Sequence, residues 1–194
     1  MIQDDVSTCP PIEALDLYPI AVKAGTELVP PTMRCLPGLL ALADEVSEKW
    51  ITARRDGEVM ERWLGRIIER NGAGQSARFC LHSASKCAGV VGFPSLDPVR
   101  ISWWVGAQWR GTGLAESASR AALMWLGTTR ALTLVEAIVN PDNSASLALA
   151  NRLGFRDGGP IIKGQSDTGE PVQRRRLVLA YQPWAEEART QPVE

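Results

Sequence analysis

A glycine-rich turn lies between a strand-like and a helix-like segment near the middle of this chain. The strand pattern RISWWVG ends at Gly106, and the letters AQWRGTGLAESA follow, with glycines at Gly111 and Gly113. A helix that begins here would present unpaired backbone N–H groups and a partial positive charge. Because glycine has no Cβ, an anion can come close to those N–H groups. The turn is therefore a candidate phosphate-binding site.

Two common phosphate-binding motifs do not match this turn. A Walker loop would end in GK[ST], which is absent. The dinucleotide fingerprint needs a third Gly or Ala where Glu116 stands, and it follows the first strand of its domain. A G-x-G turn by itself is weak evidence, so a purely structural turn remains an alternative at this point.

A second segment, VNPDNSASLALANRLGF, strengthens the functional interpretation. It contains the end of another strand, a proline, and a helix that opens with Asn143 and Ser146. Together, the two segments resemble the GNAT (Gcn5-related) N-acetyltransferase family. The PDN…S…LGF letters are most similar to its RimJ/RimL-type branch, and the likeness covers roughly residues 28–181.

The family pattern [RQ]-x-x-G-x-[GA] fits this chain in two registers. Arg110, Gly113 and Ala115 match it, and so do Gln108, Gly111 and Gly113. We prefer the first register because it leaves the preceding strand segment to pair with pantetheine. The resemblance implies that acetyl-CoA is the co-substrate and that its pyrophosphate meets the turn. The implied acetyl-CoA-binding residues are Trp104, Val105, Gly106, Arg110, Gly111, Thr112, Gly113, Leu114, Ala115, Asn143 and Ser146. The Arg110 side chain has an alternative role as a solvated charge.

The catalytic residues are less well defined by the resemblance. Many family members carry a tyrosine seven residues beyond the helix-opening Asn, and here that position is Ala150. The RimJ/RimL-type branch often lacks it too, and Ser146 then becomes a candidate for contact with the CoA sulfur. The alternative is that the Ser146 hydroxyl only satisfies the first turn of its helix.

The general base is the second open question. The branch often has a glutamate on the strand before the turn, where this chain reads Arg100-Ile101-Ser102. Glu136 is the remaining acid within the predicted core strands, so we predict it as the base. The alternative is a structural glutamate in an ion pair. His82 has a suitable unperturbed pKa, and an α-amino acceptor with a pKa near 8 needs little help.

The hydrophobic pattern predicts an α/β (α+β) domain. Strand-like and helix-like segments alternate as strand, two helices, three strands, helix, strand, helix and two strands. The predicted strands include GTELV, ARFCLHS, CAGVVGF and RISWWVG, and the clearest helix is GEVMERWLGRIIERNG. We expect Pro94 and Pro98 to bracket a loop, a helix over residues 36–50, and another from Gly111.

The resemblance specifies this class as the GNAT acyl-CoA N-acyltransferase fold. It implies a central mixed, mostly antiparallel sheet of about six or seven strands, flanked by about four helices. We predict an irregular leader at residues 1–23, a single N-acetyltransferase domain at residues 24–182, and a tail at residues 183–194.

Composition restricts the possible partners. The chain has 194 residues, 21 Lys plus Arg and 22 Asp plus Glu, which argues against nucleic acid as the main partner. No apolar run is long enough to cross a membrane, and no secretory signal is evident, so we expect a cytoplasmic protein. One histidine and four cysteines without a CxxC pair make a metal site unexpected. Cys80 and Cys87 could face each other in a hairpin, although reduced thiols fit better.

The resemblance implies an acyltransferase that moves the acetyl group of acetyl-CoA to a primary amine. The acceptor is a small molecule or a protein N-terminus, and no metal takes part. The alternative is a non-catalytic acyl-CoA-binding or sensor protein of the same fold. We expect acetyl-CoA and an amine acceptor as partners, together with a homodimer.

Overall fold

A central sheet with helices on both faces forms the framework of the molecule. The computed structural model describes residues 15–46, 56–165 and 171–182. The strands are β1 (Ile20–Lys23), β2 (Thr26–Val29), β3 (Ala77–Ser83), β4 (Lys86–Leu96), β5 (Val99–Val105), β6 (Leu134–Val139), β7 (Arg156–Asp157), β8 (Ile162–Gln165) and β9 (Pro171–Ala180). The helices are α1 (Leu36–Leu42), α2 (Gly57–Gly72), α3 (Leu114–Thr129) and α4 (Ser144–Arg152).

The strands follow the order β1-β2-β3-β4-β5-β6-β9-β7, and β8 pairs with the first part of β9. Every pairing is antiparallel except that of β5 with β6. The predicted class, a mixed and mostly antiparallel sheet flanked by helices, is confirmed. The strands outnumber the six or seven that were expected, because β7 has only two residues and β1 lies in a segment with little hydrophobic periodicity.

The segment predicted as an irregular leader contains the first strand. β1 pairs with β2, with Ile20 opposite Leu28, across a turn at Gly25 where φ is 67°. The side chains that pack against the core from this segment are Leu15, Leu17, Ile20 and Val22. Ordered structure therefore starts before residue 24. Residues 1–14 and the predicted tail at 183–194 lie outside the described residues.

Three other boundaries differ from the predictions. Pro94 lies inside β4 rather than at a loop, because the strand pairing is irregular between Gly92 and Ser95 and needs no N–H there. Helix α1 ends at Leu42, and residues 47–50 of the longer predicted helix lie outside the described residues. Helix α3 begins at Leu114, three residues after the predicted start at Gly111.

Two apolar clusters fix the helices to opposite faces of the sheet. Helices α1 and α2 pack on one face, through Leu39, Leu42, Met60, Trp63, Leu64 and Ile67 against Cys80, Val90 and Trp104. Helices α3 and α4 cover the other face, through Leu114, Ala118, Ala122, Trp125, Leu149 and Leu153. Since strand side chains alternate between faces, each residue of β5 is assigned to one of the two helix layers.

Candidate functional site

The strands β5 and β6 separate in the middle of the sheet. On its other side, β5 pairs with β4 from Gly89 opposite Val105 to Leu96 opposite Val99. On the β6 side, the register contains a single pair, Arg100 opposite Glu136. Both strands lie wholly within the described residues, so beyond this pair the edge of β5 has no strand partner in β6. An extended ligand can bind such an edge by main-chain hydrogen bonds.

The glycine turn lies directly after the open edge of β5. Gly111 and Gly113 have φ values of 73° and 75°, and Gly113 is the N-cap of α3. A Cβ built at either position would meet no atom within 4 Å. The backbone conformation therefore demands glycine, and the space beside the turn is open. The Ser117 N–H donates to the Gly113 carbonyl oxygen at 3.0 Å, which is the first hydrogen bond of the helix. The backbone N–H groups that precede Ser117 therefore form a helix N-terminus, which favours binding of an anion.

The predicted cofactor residues of β5 can meet a ligand mainly through their main chain. The Trp104 side chain is 7% exposed and packs edge-to-face on Trp63, with ring centroids 6.1 Å apart. A Cβ on Gly106 would collide with the Leu42 side chain, so this glycine is set by packing against α1. Val105 is partly buried against the larger core. These side chains hold the strand and leave its edge accessible.

The side chains of the turn itself are also occupied. Thr112 Oγ1 donates to the Trp109 carbonyl oxygen at 2.7 Å. Leu114 is buried at the start of α3, and Ala115 packs against the same core. Backbone N–H groups are therefore what the turn offers to an anion.

Arg110 is held in an ion pair. Its guanidinium donates to both carboxylate oxygens of Asp44, at 2.7 and 2.9 Å. Asp44 follows α1, so the pair ties the glycine turn to the α1 region. The predicted alternative for the Arg110 side chain was a solvated charge, and the structure shows a partly exposed arginine whose guanidinium is already paired with Asp44. Contact with phosphate stays a prediction.

The start of α4 faces β5 across the opening. The Asn143 side chain accepts a hydrogen bond from the Ser146 backbone N–H at 3.1 Å, and so it caps the helix. The Ser146 hydroxyl oxygen instead accepts the indole N–H of Trp103 at 3.3 Å. The cap is thus made by Asn143, which leaves the Ser146 hydroxyl in the opening between the strands.

Glu136 lies on the opposite face of the sheet, at the point where β5 and β6 meet. It is 5% exposed, and one carboxylate oxygen accepts from Arg100 Nε at 3.0 Å. The other oxygen accepts from Arg176 Nε at 2.7 Å. Burial raises the pKa of this carboxyl group, but the two arginines outweigh burial and bring its pKa below the ordinary value. The geometry favours the paired, structural glutamate, and a catalytic role stays a prediction.

The remaining candidate residues lie away from the point where β5 and β6 meet. Ala150 is fully buried where many family members would carry tyrosine. His82 is on β3, opposite Glu27 and Cys87, and β4 separates it from β5. Cys80 lies opposite Val90 rather than Cys87, and both cysteines are free thiols.

Sequence reasoning missed a row of side chains on the α1/α2 face. Arg78 Nη2 donates to Ser102 Oγ at 3.4 Å across the intervening Gly92, and the guanidinium carbon lies 5.3 Å from the centre of the Trp63 ring. Burial, with a contribution from the charge of Arg70, lowers the Arg78 pKa to about 10, so this group stays positive at neutral pH. The two-residue period places Ser102 and Trp104 on one face, but only the strand register brings Arg78 beside them.

The described residues contain neither a membrane-spanning helix nor a cluster of metal-binding side chains. Across residues 15–46, 56–165 and 171–182, no helix has the length and apolar character needed to span a bilayer. The same residues contain no group of three or more His, Cys, Asp or Glu side chains positioned to hold a metal ion.

Comparisons with known proteins agree with this geometry. A family model of the acetyltransferase (GNAT) domain matches residues 26–156. No curated protein sequence matches the chain.

Several solved structures share the fold. The microcin C7 self-immunity acetyltransferase MccE, in complex with acetyl-CoA and AMP, has a TM-score of 0.75 at 19% identity, covering 87% of this chain and 98% of that one. RimL, a ribosomal L7/L12 α-N-protein acetyltransferase, has a TM-score of 0.77 at 18% identity, covering 85% and 95%. Mycobacterium smegmatis RimJ in complex with CoA-disulfide has a TM-score of 0.70 at 20% identity, covering 84% and 86%.

Proposed function

This chain belongs to the GNAT acetyltransferase family and is an acetyl-CoA-dependent N-acetyltransferase, and we propose that it acetylates a primary amine of low pKa in the opening between β5 and β6. The acceptor is a small molecule or a protein N-terminus. The observation that carries the proposal is the single β5–β6 pair, Arg100 with Glu136, beyond which the edge of β5 is open toward the glycine turn.

Acetyl-CoA would bind along that edge. Its pyrophosphate would accept hydrogen bonds from the N–H groups of residues 111–115, which the φ values of Gly111 and Gly113 leave open to an anion. Pantetheine would pair with the main chain of residues 104–106 as an added strand. Followed back along β5 from the turn, the thioester would then lie near Ser102 and Trp103, where the strands converge.

Ser146 is the residue we assign to the leaving group. The amine nitrogen attacks the thioester carbonyl carbon, the C–S bond breaks, and its electron pair goes to sulfur. The Ser146 oxygen already accepts the Trp103 N–H at 3.3 Å, so its own hydrogen is available to donate to that sulfur. This hydrogen bond stabilises the charge on sulfur while Ser146 keeps its proton. The thiolate then gains a proton from solvent, and the nitrogen loses one to solvent.

The acceptor's own pKa decides how much base catalysis is needed. Glu136 would have to leave two arginine partners to take a proton, and its lowered pKa makes it a weak base. An α-amino group titrates near 7.7–8, so roughly a quarter of it is neutral at pH 7.4 without help. We therefore propose an α-amino group or an amine of similar pKa as the acceptor, with solvent taking the proton.

A combined binding and turnover experiment tests this function. Titration calorimetry should show acetyl-CoA binding at micromolar affinity. Thiol release across a panel of α-amino peptides and small amines should show turnover that rises with pH through the acceptor's pKa. Absence of heat with both acetyl-CoA and CoA would contradict the proposed site.

The sensor alternative keeps some support from the paired Glu136 and from the buried Ala150 at the tyrosine position. It predicts acetyl-CoA binding without turnover on any member of the panel. We further propose a cytoplasmic location, supported by the free thiols of Cys35, Cys80 and Cys87, and a homodimer, which sedimentation analysis would test.

A further inference from the structure

The α1/α2 face of the sheet carries an excess of positive charge beside the converging strands. Arg78 and Ser102 lie in one row across β3, β4 and β5. Arg100 and Arg176 lie beside them and share the carboxylate of Glu136. Two arginines thus face one glutamate, and Arg78 adds a further positive charge. The chain as a whole has a net charge of −1, so this excess is local.

Arg78 differs from its neighbours because the described residues give it no carboxylate partner. Its Nε atom is buried and makes no hydrogen bond within that part of the chain. A buried N–H without an acceptor is unfavourable and uncommon in native proteins. The side chain is also positioned, because Trp63 lies under the guanidinium and the Asn71 side chain bonds both the N–H and the carbonyl oxygen of Arg78. Its Nε is therefore a fixed donor that lacks an acceptor.

We propose that Arg78, with Ser102, binds an oxyanion of the acceptor, so that the acceptor is an amine bearing a nearby carboxylate or phosphate. This inference rests on the proposed acetyltransferase function and specifies its substrate class. A guanidinium offers parallel N–H groups that match either oxyanion. Ser102 contributes a hydroxyl from the middle of β5, two residues beyond Arg100, where β5 and β6 meet.

The faces of the sheet explain why this anion belongs to the acceptor and not to CoA. Helix α3, Trp103 and Ser146 are on the α3/α4 side, where the CoA sulfur would lie. Arg78, Ser102 and Trp63 are on the α1/α2 side. An amine approaching the thioester from this second side would place a neighbouring anionic group against Arg78.

Matched dipeptides test the proposal without changing the reacting amine. Ser-Glu-amide and Ser-Gln-amide differ by one charge, whereas Ser-phosphoserine-amide and Ser-Ser-amide differ by the charge of about −1.5 to −2 on the phosphate. The two pairs separate carboxylate from phosphate recognition. We expect the anionic member of at least one pair to have about tenfold or higher kcat/KM, the effect of a charge-assisted hydrogen bond. Arg78→Met should bring that ratio to about one, and Arg78→Lys should keep part of it.

The matched control removes a charge elsewhere on the same layer. Arg66→Met alters an exposed arginine of α2 and should leave the preference unchanged. Should Arg78→Met fail to fold by circular dichroism, Ser102→Ala and Arg78→Lys test the same contact. Equal kcat/KM within both wild-type pairs, or an unchanged preference in Arg78→Met, would overturn the proposal.

A binding measurement keeps this test separate from the proposed function. Calorimetric titration of each dipeptide into the CoA-saturated protein reports anion preference even if no acceptor is turned over. Tighter binding of an anionic dipeptide, lost in Arg78→Met, would support the anion site although acetyl transfer had failed. Turnover of neutral acceptors with no anion preference in binding would leave the acetyltransferase function standing and refute this inference.

Discussion

The two edges of β5 differ in strand pairing along most of their length. Toward β4 the strand is paired from Val99 to Val105, with an irregularity between Gly92 and Ser95 of β4. Toward β6 it pairs only through Arg100 and Glu136. The same seven residues therefore serve as a conventional sheet strand on one side and as an open edge on the other.

This difference teaches how one strand combines rigidity with binding. The β4 pairing and the packed Trp104 side chain hold β5 in place, while its other edge keeps main-chain groups for a ligand. The Glu136 ion pairs stabilise the junction at which the strands converge. An open edge in the middle of a sheet is otherwise a liability, so the glycine turn directly beyond it points to an occupant.

Filling the path to the open edge should have the largest effect. Gly113→Trp places an indole beside the N–H groups of the turn, where a Cβ now meets open space, and we expect acetyl-CoA affinity to fall at least 100-fold by calorimetry. Gly25→Trp is the matched control, because Gly25 also has positive φ, 67°, and open space around it. Affinity within threefold of wild type in Gly113→Trp would exclude the turn as the phosphate site.

Removing the Glu136 ion pairs should lower the free energy of unfolding more than it alters kcat/KM. Glu136→Gln leaves Arg100 and Arg176 without a charged partner, so we expect the free energy of unfolding to fall by roughly 2 kcal/mol. The pH profile of kcat/KM should keep its wild-type shape. Glu116→Gln is a control, since Glu116 also pairs with two arginines but is more exposed, and it should cost about 1 kcal/mol or less. A loss of kcat/KM near 100-fold at pH 6 that shrinks by pH 9 would instead identify Glu136 as the base.

Removing the hydroxyl across the opening should affect rate and not stability. Ser146→Ala keeps the helix cap, which the Asn143 side chain makes to the Ser146 backbone N–H. We expect kcat to fall about tenfold while acetyl-CoA affinity and the free energy of unfolding stay near wild type. The control is Ser144→Ala, at an exposed position in the same turn. Equal kcat values for the two variants would remove Ser146 from the leaving-group step.

Lowering the pH should gradually reduce the free energy of unfolding, because the paired carboxylates become protonated. Although burial alone raises the pKa of Glu136, pairing with arginine brings it below its ordinary value of 4.5, and hydrogen bonds from arginines lower the pKa of Glu116. A lowered folded-state pKa contributes stability that is present above about 4.5 and is lost as pH falls through the folded value. Chemical denaturation between pH 6 and pH 3 should show this decline, with a smaller slope in Glu136→Gln. An equal pH dependence of the free energy of unfolding in both proteins would show that titration of Glu136 does not contribute to stability.

Local patterns predicted much of this architecture from the sequence. The two-residue period marked β3 and β5, and the helical period marked α2 with its stated limits, Gly57 to Gly72. The paired glycines before an apolar helix were sufficient to predict the turn at the N-terminus of α3. The strand β1 was not predicted, because residues 1–23 contain three prolines and show little hydrophobic periodicity.

The surroundings of the site depend on contacts between distant parts of the chain. Glu136 meets Arg100 and Arg176, 36 and 40 residues away, because of the β5–β6 and β6–β9 registers. The Trp103–Ser146 hydrogen bond spans 43 residues. Sequence periodicity gives the face of each side chain, but not its neighbour on the next strand. For that reason the residue types at the site were predictable, whereas the pairing of Glu136 was one of two open alternatives.

The central claim is that acetyl-CoA occupies the open edge of β5 and the glycine turn beyond it. A titration of the ¹⁵N-labelled protein with CoA, followed by backbone amide NMR, tests this directly. The account predicts that the largest shift changes fall on residues 102–106 and 111–115, while amides of the β1–β2 hairpin, Ile20–Lys23 and Thr26–Val29, stay unchanged. Saturable binding with its largest shifts away from β5 and the turn, or no shifts at millimolar CoA, would contradict it.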